Sequence, residues 1–369
     1  MKKLLIFNSG SFIYGAERGL LNLLEAVKSE FLVTVVLPKK GPLFEEIKKL
    51  SPSVDIKIFS QPMLSLSFSP FYYLNFLILF VVNIIYFLFF IQEEEIDIIC
   101  SNSLLLIAPA IISKFARKKY IWYLREFFPY QSINYILGKF VKIFSNAIIC
   151  QSKTIRKRLF LFQDTQVIYE PLNPCNYKKY NQVQAKKDLG IPERTTVISI
   201  ISRIHPSKGQ LEFLHEIKKT LEEAKDVILL IIGDITTSNL KDILYRRRIY
   251  NFMENNKSEN INILGFRKDI DRILSASDIC VFPFKRIEPF GIIVTEALMF
   301  GKLTFYPRQG GLSEVYQIFK EGNSIDIESI REAISTRDKP INIAFDFFIP
   351  GELLFDAYRK KIYHLFSTK

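Results

Sequence analysis

Two glutamates eight positions apart, Glu288 and Glu296, frame the stretch of this sequence best suited to chemistry. Between them, Pro289 and Gly291 mark a tight turn. Ile292 to Phe300 then reads as a short helix stopped by Gly301. A helix that opens after a glycine-containing loop presents free backbone N–H groups and the positive end of its dipole, so it suits a phosphate. Glu288 precedes the helix and Glu296 lies more than a turn inside it. One carboxylate is thus placed beside an anion and the other further along the bound molecule. That suits a diphosphate with hydroxyl groups on both sides, as in a nucleotide sugar. Taken alone, the pair favours a plainer reading, a helix-opening Glu and a solvated Glu, because charged residues are mostly exposed.

Other residues bear on that choice. Arg203 and Lys208 follow the apolar, β-branched run Thr195 to Ser202, where a parallel strand would deliver them to its carboxyl end. A diphosphate needs cations there: Arg can hold two oxygens, and Lys acts as a point charge. The alternative is two ordinary surface cations in a chain with fifty Lys and Arg. Gly15 with Ala16 opens the first helix and could let backbone approach a phosphate. Asp269-Ile-Asp271 has the form of a metal-holding pair, but it is read instead as the acidic first turn of a helix, which the macrodipole favours. His205 reads as a loop residue between Arg203 and Lys208. No phosphate-binding loop of the Walker type and no Ser-His-Asp arrangement is suggested.

The elements that must position these residues alternate strand and helix. Residues 3–7, 31–37 and 54–59 read as strands with helices between them, and the alternation resumes at 96–102 and continues to about 169. Pro, Asn and Tyr cluster at 170–180, the expected linker. A second alternating series runs from Thr195 to Gly301, and an amphipathic helix covers about 350–366. One segment stands apart: residues 71–91, FYYLNFLILFVVNIIYFLFFI, are long and apolar enough to span a membrane. Asn75 and Asn83 interrupt the run, and a strand of the same sheet follows it, so a buried helix or one lying on a bilayer surface is favoured over a span.

Composition sets the outer limits. At 369 residues, two domains are expected. A formal charge of +12 implies attraction to anions, whether phosphates or an acidic membrane surface. The cations read as dispersed and no nucleic-acid signature accompanies them. Cys100, Cys150, Cys175 and Cys280 are far apart, as expected of reduced thiols in a cytosolic protein, and three scattered histidines do not support a zinc site. The apolar run in Met1 to Phe7 is too short for a signal peptide and is expected to be a buried strand.

In combination these features resemble the GT-B glycosyltransferases, specifically the retaining family four of glycosyl transferases group 1. Tyr14-Gly-Ala-Glu-Arg-Gly-Leu-Leu is similar to that family's amino-terminal glycine motif, and Ser202-Arg-Ile-His-Pro-Ser-Lys-Gly209 to its phosphate motif. Gly265-Phe-Arg-Lys-Asp with Ala276-Ser-Asp-Ile-Cys-Val-Phe-Pro, then Glu288-Pro-Phe-Gly with Glu296-Ala, and Gly310-Gly-Leu-Ser-Glu314 follow in the family's order. The resemblance implies an α/β fold of two Rossmann-like, doubly wound domains facing a central cleft. Expected domains are 1–170 on the acceptor side, 171–345 binding the nucleotide sugar, and 346–369 as a terminal helix crossing back.

By the same resemblance, Arg203 and Lys208 hold the donor diphosphate and Glu288 meets the sugar near its reacting carbon; these three are the catalytic candidates. Glu296 takes the ribose diol. Gly15, Gly265, Phe266, Phe290, Gly291 and Ile292 complete the donor-binding set. Many members carry a His after the strand matching Tyr120 to Leu124; here Arg125 and Glu126 stand there and are the acceptor-side candidates. Glu170 stands where the family often has Asn. No metal and no cofactor is expected. The implied function is retaining transfer from a nucleotide sugar to a glycan or lipid-linked glycan in cell-surface polysaccharide synthesis, in the cytoplasm and peripheral at the inner membrane face, with no nucleic-acid partner. The contrasting reading is a non-catalytic nucleotide-sugar-binding or membrane scaffold subunit.

Overall fold

Parallel strands joined by helices build two separate sheets in this computed structural model. It describes residues 1–66, 69–162, 165–224, 226–235, 240–256, 259–320, 322–335 and 349–368. The expected boundary at 345/346 lies outside them. The chain divides into one unit of Met1–Pro171 with Gly351–Lys369 and a second of Leu172–Pro350.

The first unit runs β1 (Lys2–Phe7), α1 (Gly15–Val27), β2 (Phe31–Leu37), α2 (Pro42–Leu50), β3 (Asp55–Ile58), α3 (Pro70–Glu93), β4 (Ile98–Ser101), α4 (Ala108–Phe115), β5 (Lys119–Leu124), α5 (Gln131–Phe144), β6 (Ala147–Cys150), α6 (Lys153–Arg158) and β7 (Thr165–Val167). Its strands lie in the order β3-β2-β1-β4-β5-β6-β7. The order reverses between β1 and β4, which is where an open α/β sheet leaves a crevice at its carboxyl edge. Helices cover both faces, so the inner strands are apolar on both sides: all of Ile98–Ser101 and Tyr120–Leu124 is buried. Local signals fix several helix starts. Pro42 occupies the first turn of α2, where its missing N–H costs nothing. Ser152 caps α6 by accepting from Ile155 N at 3.1 Å.

The second unit runs α7 (Gln182–Asp188), β8 (Thr196–Ile201), α8 (Gln210–Glu223), β9 (Val227–Ile232), α9 (Leu240–Asn255), β10 (Ile261–Gly265), α10 (Ile270–Ala276), β11 (Ile279–Val281), α11 (Ile292–Met299), β12 (Leu303–Tyr306), α12 (Gly311–Phe319), β13 (Asn323–Ser324) and α13 (Ile327–Ser335). Strand order is β10-β9-β8-β11-β12-β13, reversing between β8 and β11. The last helix, α14 (Phe355–Ser367), belongs to the first unit. It packs on α1 and buries Tyr358, Ile362 and Phe366, while Lys119 donates to the Leu365 carbonyl at 2.7 Å.

The apolar segment 71–91 does not become a wholly buried helix. In α3 only Asn83, Phe87, Phe90 and Ile91 are buried, and most of the remaining apolar side chains face outward. The helix is far longer than the short strands beside it, so most of its length has no sheet to cover.

Candidate functional site

The loops after β8 and β11 flank the point where strand order reverses in the second unit, and they carry the residues singled out from sequence. Gly209 ends the first loop at φ 72°. A Cβ there would fall 2.0 Å from the Pro283 carbonyl oxygen of the second loop, so only glycine lets the two approach. Lys285 N donates to the Ser207 carbonyl at 2.9 Å and fastens them further. Buried Gln210 donates to Ser202 Oγ and to the Arg203 carbonyl, each at 2.9 Å, setting the path of the first loop.

This closeness brings Lys208 and Glu288 together. Lys208 Nζ lies 2.8 Å from Glu288 Oε1 and 4.2 Å from the centre of the Phe284 ring. Burial draws the ammonium below its ordinary pKa and neighbouring Arg203 adds to this, while Glu288 opposes both. Arg203 itself is exposed. The result is two cations side by side with one carboxylate pinned against the inner one. His205 is engaged by other partners: its Nδ1 bonds with Ser207 Oγ at 2.7 Å, and its Nε2 lies 3.6 Å from Asp242.

Glu288 leads into the turn that starts α11. Gly291 caps that helix at φ 96°. Phe290 is 1% exposed and anchors the loop. Beneath it lies the Gly310-Gly311 pair: Gly311 N donates to the Glu288 carbonyl at 3.0 Å, and a Cβ on Gly311 would meet the Pro289 carbonyl oxygen at 2.1 Å. Gly311→Ala is therefore expected to push the Glu288 loop off its seat. Affinity for the nucleotide sugar expected from the sequence should fall at least tenfold, read by titration calorimetry, with unfolding measured in parallel to separate the local shift from global loss.

Glu296 departs from the solvated reading. It is 1% exposed, and Tyr177 donates its hydroxyl to Glu296 Oε1 at 2.6 Å. Tyr177 also sets its ring edge-on to Phe300. Sequence reasoning did not single out Tyr177; the one signal was the Tyr-rich stretch after Pro174. Gly265 ends β10 at φ 65°, and Phe266 beside it is 48% exposed. The Ile292 amide lies at the open end of α11, where N–H groups have no partner within the helix. Asp269 is held by Arg267 at 2.6 Å, and Asp271 accepts from Lys178 N at 2.9 Å, so both acids already have structural partners.

In the first unit, Gly15 opens α1, and the following turn is fixed by Glu17, which accepts from Tyr14 N at 3.2 Å. Arg125 and Glu126 leave the carboxyl end of β5 and turn inward. Arg125 is 3% exposed, pairs with buried Glu170, and stacks 3.9 Å above the Tyr123 ring. Its Nε donates to Asn102 Oδ1 at 2.7 Å. Burial disfavours its charge, yet Glu170, Tyr123 and Tyr358 together hold its pKa above the ordinary value. Glu126 accepts from Leu104 N at 2.8 Å and from the Ser103 hydroxyl, and burial raises its pKa. Both are thus structural in their present contacts, and Asn102, Glu170 and Tyr123 surround Arg125 in a network that the sequence did not announce.

The family model for glycosyl transferases group 1 matches residues 181–337. The N-acetyl-alpha-D-glucosaminyl L-malate synthase of Bacillus anthracis is 26% identical over 159 residues, 42% of this chain and 38% of that protein. The UDP-Gal:alpha-D-GlcNAc-diphosphoundecaprenol alpha-1,3-galactosyltransferase of Escherichia coli is 27% identical over 165 residues, 43% of this chain and 41% of that protein. The match thus spans about two fifths of the length of these relatives. Among solved structures, Anabaena HepE in complex with UDP and glucose superposes with a TM-score of 0.74 at 18% identity, covering 100% of both chains. The same protein with UDP-glucose gives 0.73 at 19%. These likenesses show the fold: GT-B, with two Rossmann-like α/β domains.

Proposed function

We propose, from the premise that residues 181–337 make this chain a member of glycosyl transferases group 1, that it is a retaining glycosyltransferase. It moves a sugar from a nucleotide-sugar donor to a glycan or lipid-linked glycan, in the synthesis of cell-surface polysaccharide, without a metal. The observation that carries the reading is the Lys208–Glu288 pair, held at 2.8 Å by glycine-dependent loop packing beside exposed Arg203. Support for the donor class comes from the HepE structures with UDP and UDP-glucose, and for the acceptor class from the lipid diphosphate in the Escherichia coli relative's name.

In this reading Arg203 and Lys208 bind the diphosphate. As the bond from the anomeric carbon to the phosphate oxygen breaks, that carbon becomes oxocarbenium-like and negative charge grows on the leaving diphosphate. The two cations stabilise this charge as it develops. Glu288, relieved of part of its hold on Lys208, takes hydrogen bonds from the sugar hydroxyls. Glu296, oriented by Tyr177, takes the ribose diol. The acceptor hydroxyl attacks the face the leaving group vacates, and its proton passes to a phosphate oxygen. Gly15, Gly265, Phe266 and the amides of Phe290 to Ile292 complete the donor's surroundings, and the rest of the first unit serves the acceptor side.

A panel of nucleotide sugars tests this by thermal stabilisation and by turnover with and without EDTA. At least one donor is expected to raise the melting temperature, with turnover unchanged by EDTA. Arg203→Ala and Glu296→Ala should each weaken binding by about tenfold or more, in line with the loss of one charge-assisted hydrogen bond. Stabilisation by no donor, or binding indifferent to both substitutions, would sink the assignment.

A further inference from the structure

We propose that α3 and the neighbouring helices α4, α5 and α6 form a docking surface for an anionic lipid bilayer, with α3 lying in the plane of the interface. The inference stands on the first unit alone and does not depend on the donor reading. These four helices cover one face of the first sheet: side chains of all four pack into a single core, and each helix touches the next. On α3, Phe71, Leu74, Leu77, Ile78, Ile85 and Phe89 are each more than half exposed. Its only charged residue is Glu93, at the end opposite that exposed aromatic start. Soluble surfaces seldom leave so continuous an apolar strip uncovered.

The charge beside the strip identifies its occupant. The cations read as dispersed along the sequence, but residues 98–163 contain eleven Lys and Arg and a single acid, Glu126, which is turned inward. Four acids, Glu93, Glu94, Glu95 and Asp97, close the far end of α3, so residues 70–163 as a whole carry eleven cations against five acids, a net charge of +6, with the cations gathered on α4, α5 and α6. Lys114, Arg117, Lys139, Lys142, Lys153 and Lys157 are exposed on or just after α4, α5 and α6. Exposed apolar residues punctuate them, with Ile136 and Ile143 each 65% exposed. An apolar strip flanked by cations suits the boundary between acyl chains and anionic headgroups. A second copy of the chain fits less well, because self-complementary pairing would set these cations against one another. A span is disfavoured because α3 connects two strands of one sheet, and its second half is fastened there by Phe87, Phe90 and Ile91 and by Asn83, which donates to the Ser60 carbonyl at 2.9 Å.

Flotation of the full chain with vesicles of equal parts phosphatidylglycerol and phosphatidylcholine tests the proposal. The chain should float with these vesicles, bind pure phosphatidylcholine far more weakly, and be released by high salt. The triple variant K139Q/K142Q/K157Q should bind on the order of 100-fold more weakly, at about a kcal/mol per headgroup-facing cation. Leu77→Gln with Ile78→Gln should also lose binding, with folding checked by circular dichroism. The proposal is overturned by failure to float, by flotation that ignores both sets of changes, or by retention through alkaline carbonate extraction, which would indicate a span. It is equally overturned if the strip variants abolish a concentration-dependent dimer while vesicle binding is absent.

Discussion

Lys208→Met is expected to lower kcat by about 10²–10³-fold with much less effect on nucleotide binding, because a fixed positive charge matters most where negative charge develops. Lys208 suits that part. It is held 2.8 Å from Glu288, so its amine is already positioned and its rotamer freedom already spent when the donor arrives. Arg203 is exposed and its loss should appear mainly as weaker binding. Glu288→Gln should reduce kcat to a similar extent, since it removes both the sugar contact and the partner that holds Lys208. The double variant should cost far less than the product of the single effects, because the two side chains act as a unit. Steady-state kinetics on the four proteins, with UDP affinity measured separately, decides this. Full multiplicativity would mean that the pair is a surface ion pair without a shared task.

The second large effect concerns stability. Arg125→Met should destabilise the first unit by about 3–5 kcal/mol, because it strands the buried Glu170 carboxylate without its cation. The pair is buried on both sides, with side-chain exposures of 1% and 1%. Among the described residues, Glu170 then keeps the amides of Asn22, at 2.9 Å, and Gln151, at 3.4 Å. Arg125→Met with Glu170→Leu should recover much of the loss, since an apolar pair of similar volume removes both desolvation penalties. Trp122, the only tryptophan, lies buried in β5 three residues from Arg125, so its fluorescence during denaturant unfolding reports this unit selectively. If Arg125→Met left that transition in place, the pair would carry no structural load and an acceptor role for Arg125 would regain ground.

Much of the fold was legible because its signals are local. A parallel sheet covered on both faces needs runs such as Val-Ile-Leu-Leu-Ile-Ile at 227–232, and these announce themselves by composition. The glycines of the second unit were legible as motif members, although their purpose was not: Gly209 and Gly311 are required by backbone atoms of other loops. Gly19 lay beyond such reasoning. It sits within α1, where glycine is costly, and a Cβ there would fall 2.1 Å from Arg125 Nη1, a residue more than a hundred positions away.

The amino-acid order by itself determined the alternation of strand and helix, the division into two α/β series and the placement of Arg203, Lys208 and Glu288 after strands. Each of these follows from neighbours within about one turn or one strand. Only the tertiary structure decided that Glu296 is buried against Tyr177, that Arg125 is turned onto Glu170, and that residues 71–91 form a largely uncovered helix packed beside α4. Those outcomes depend on which elements become neighbours once parallel crossovers bring distant segments side by side, and no local pattern carries that information.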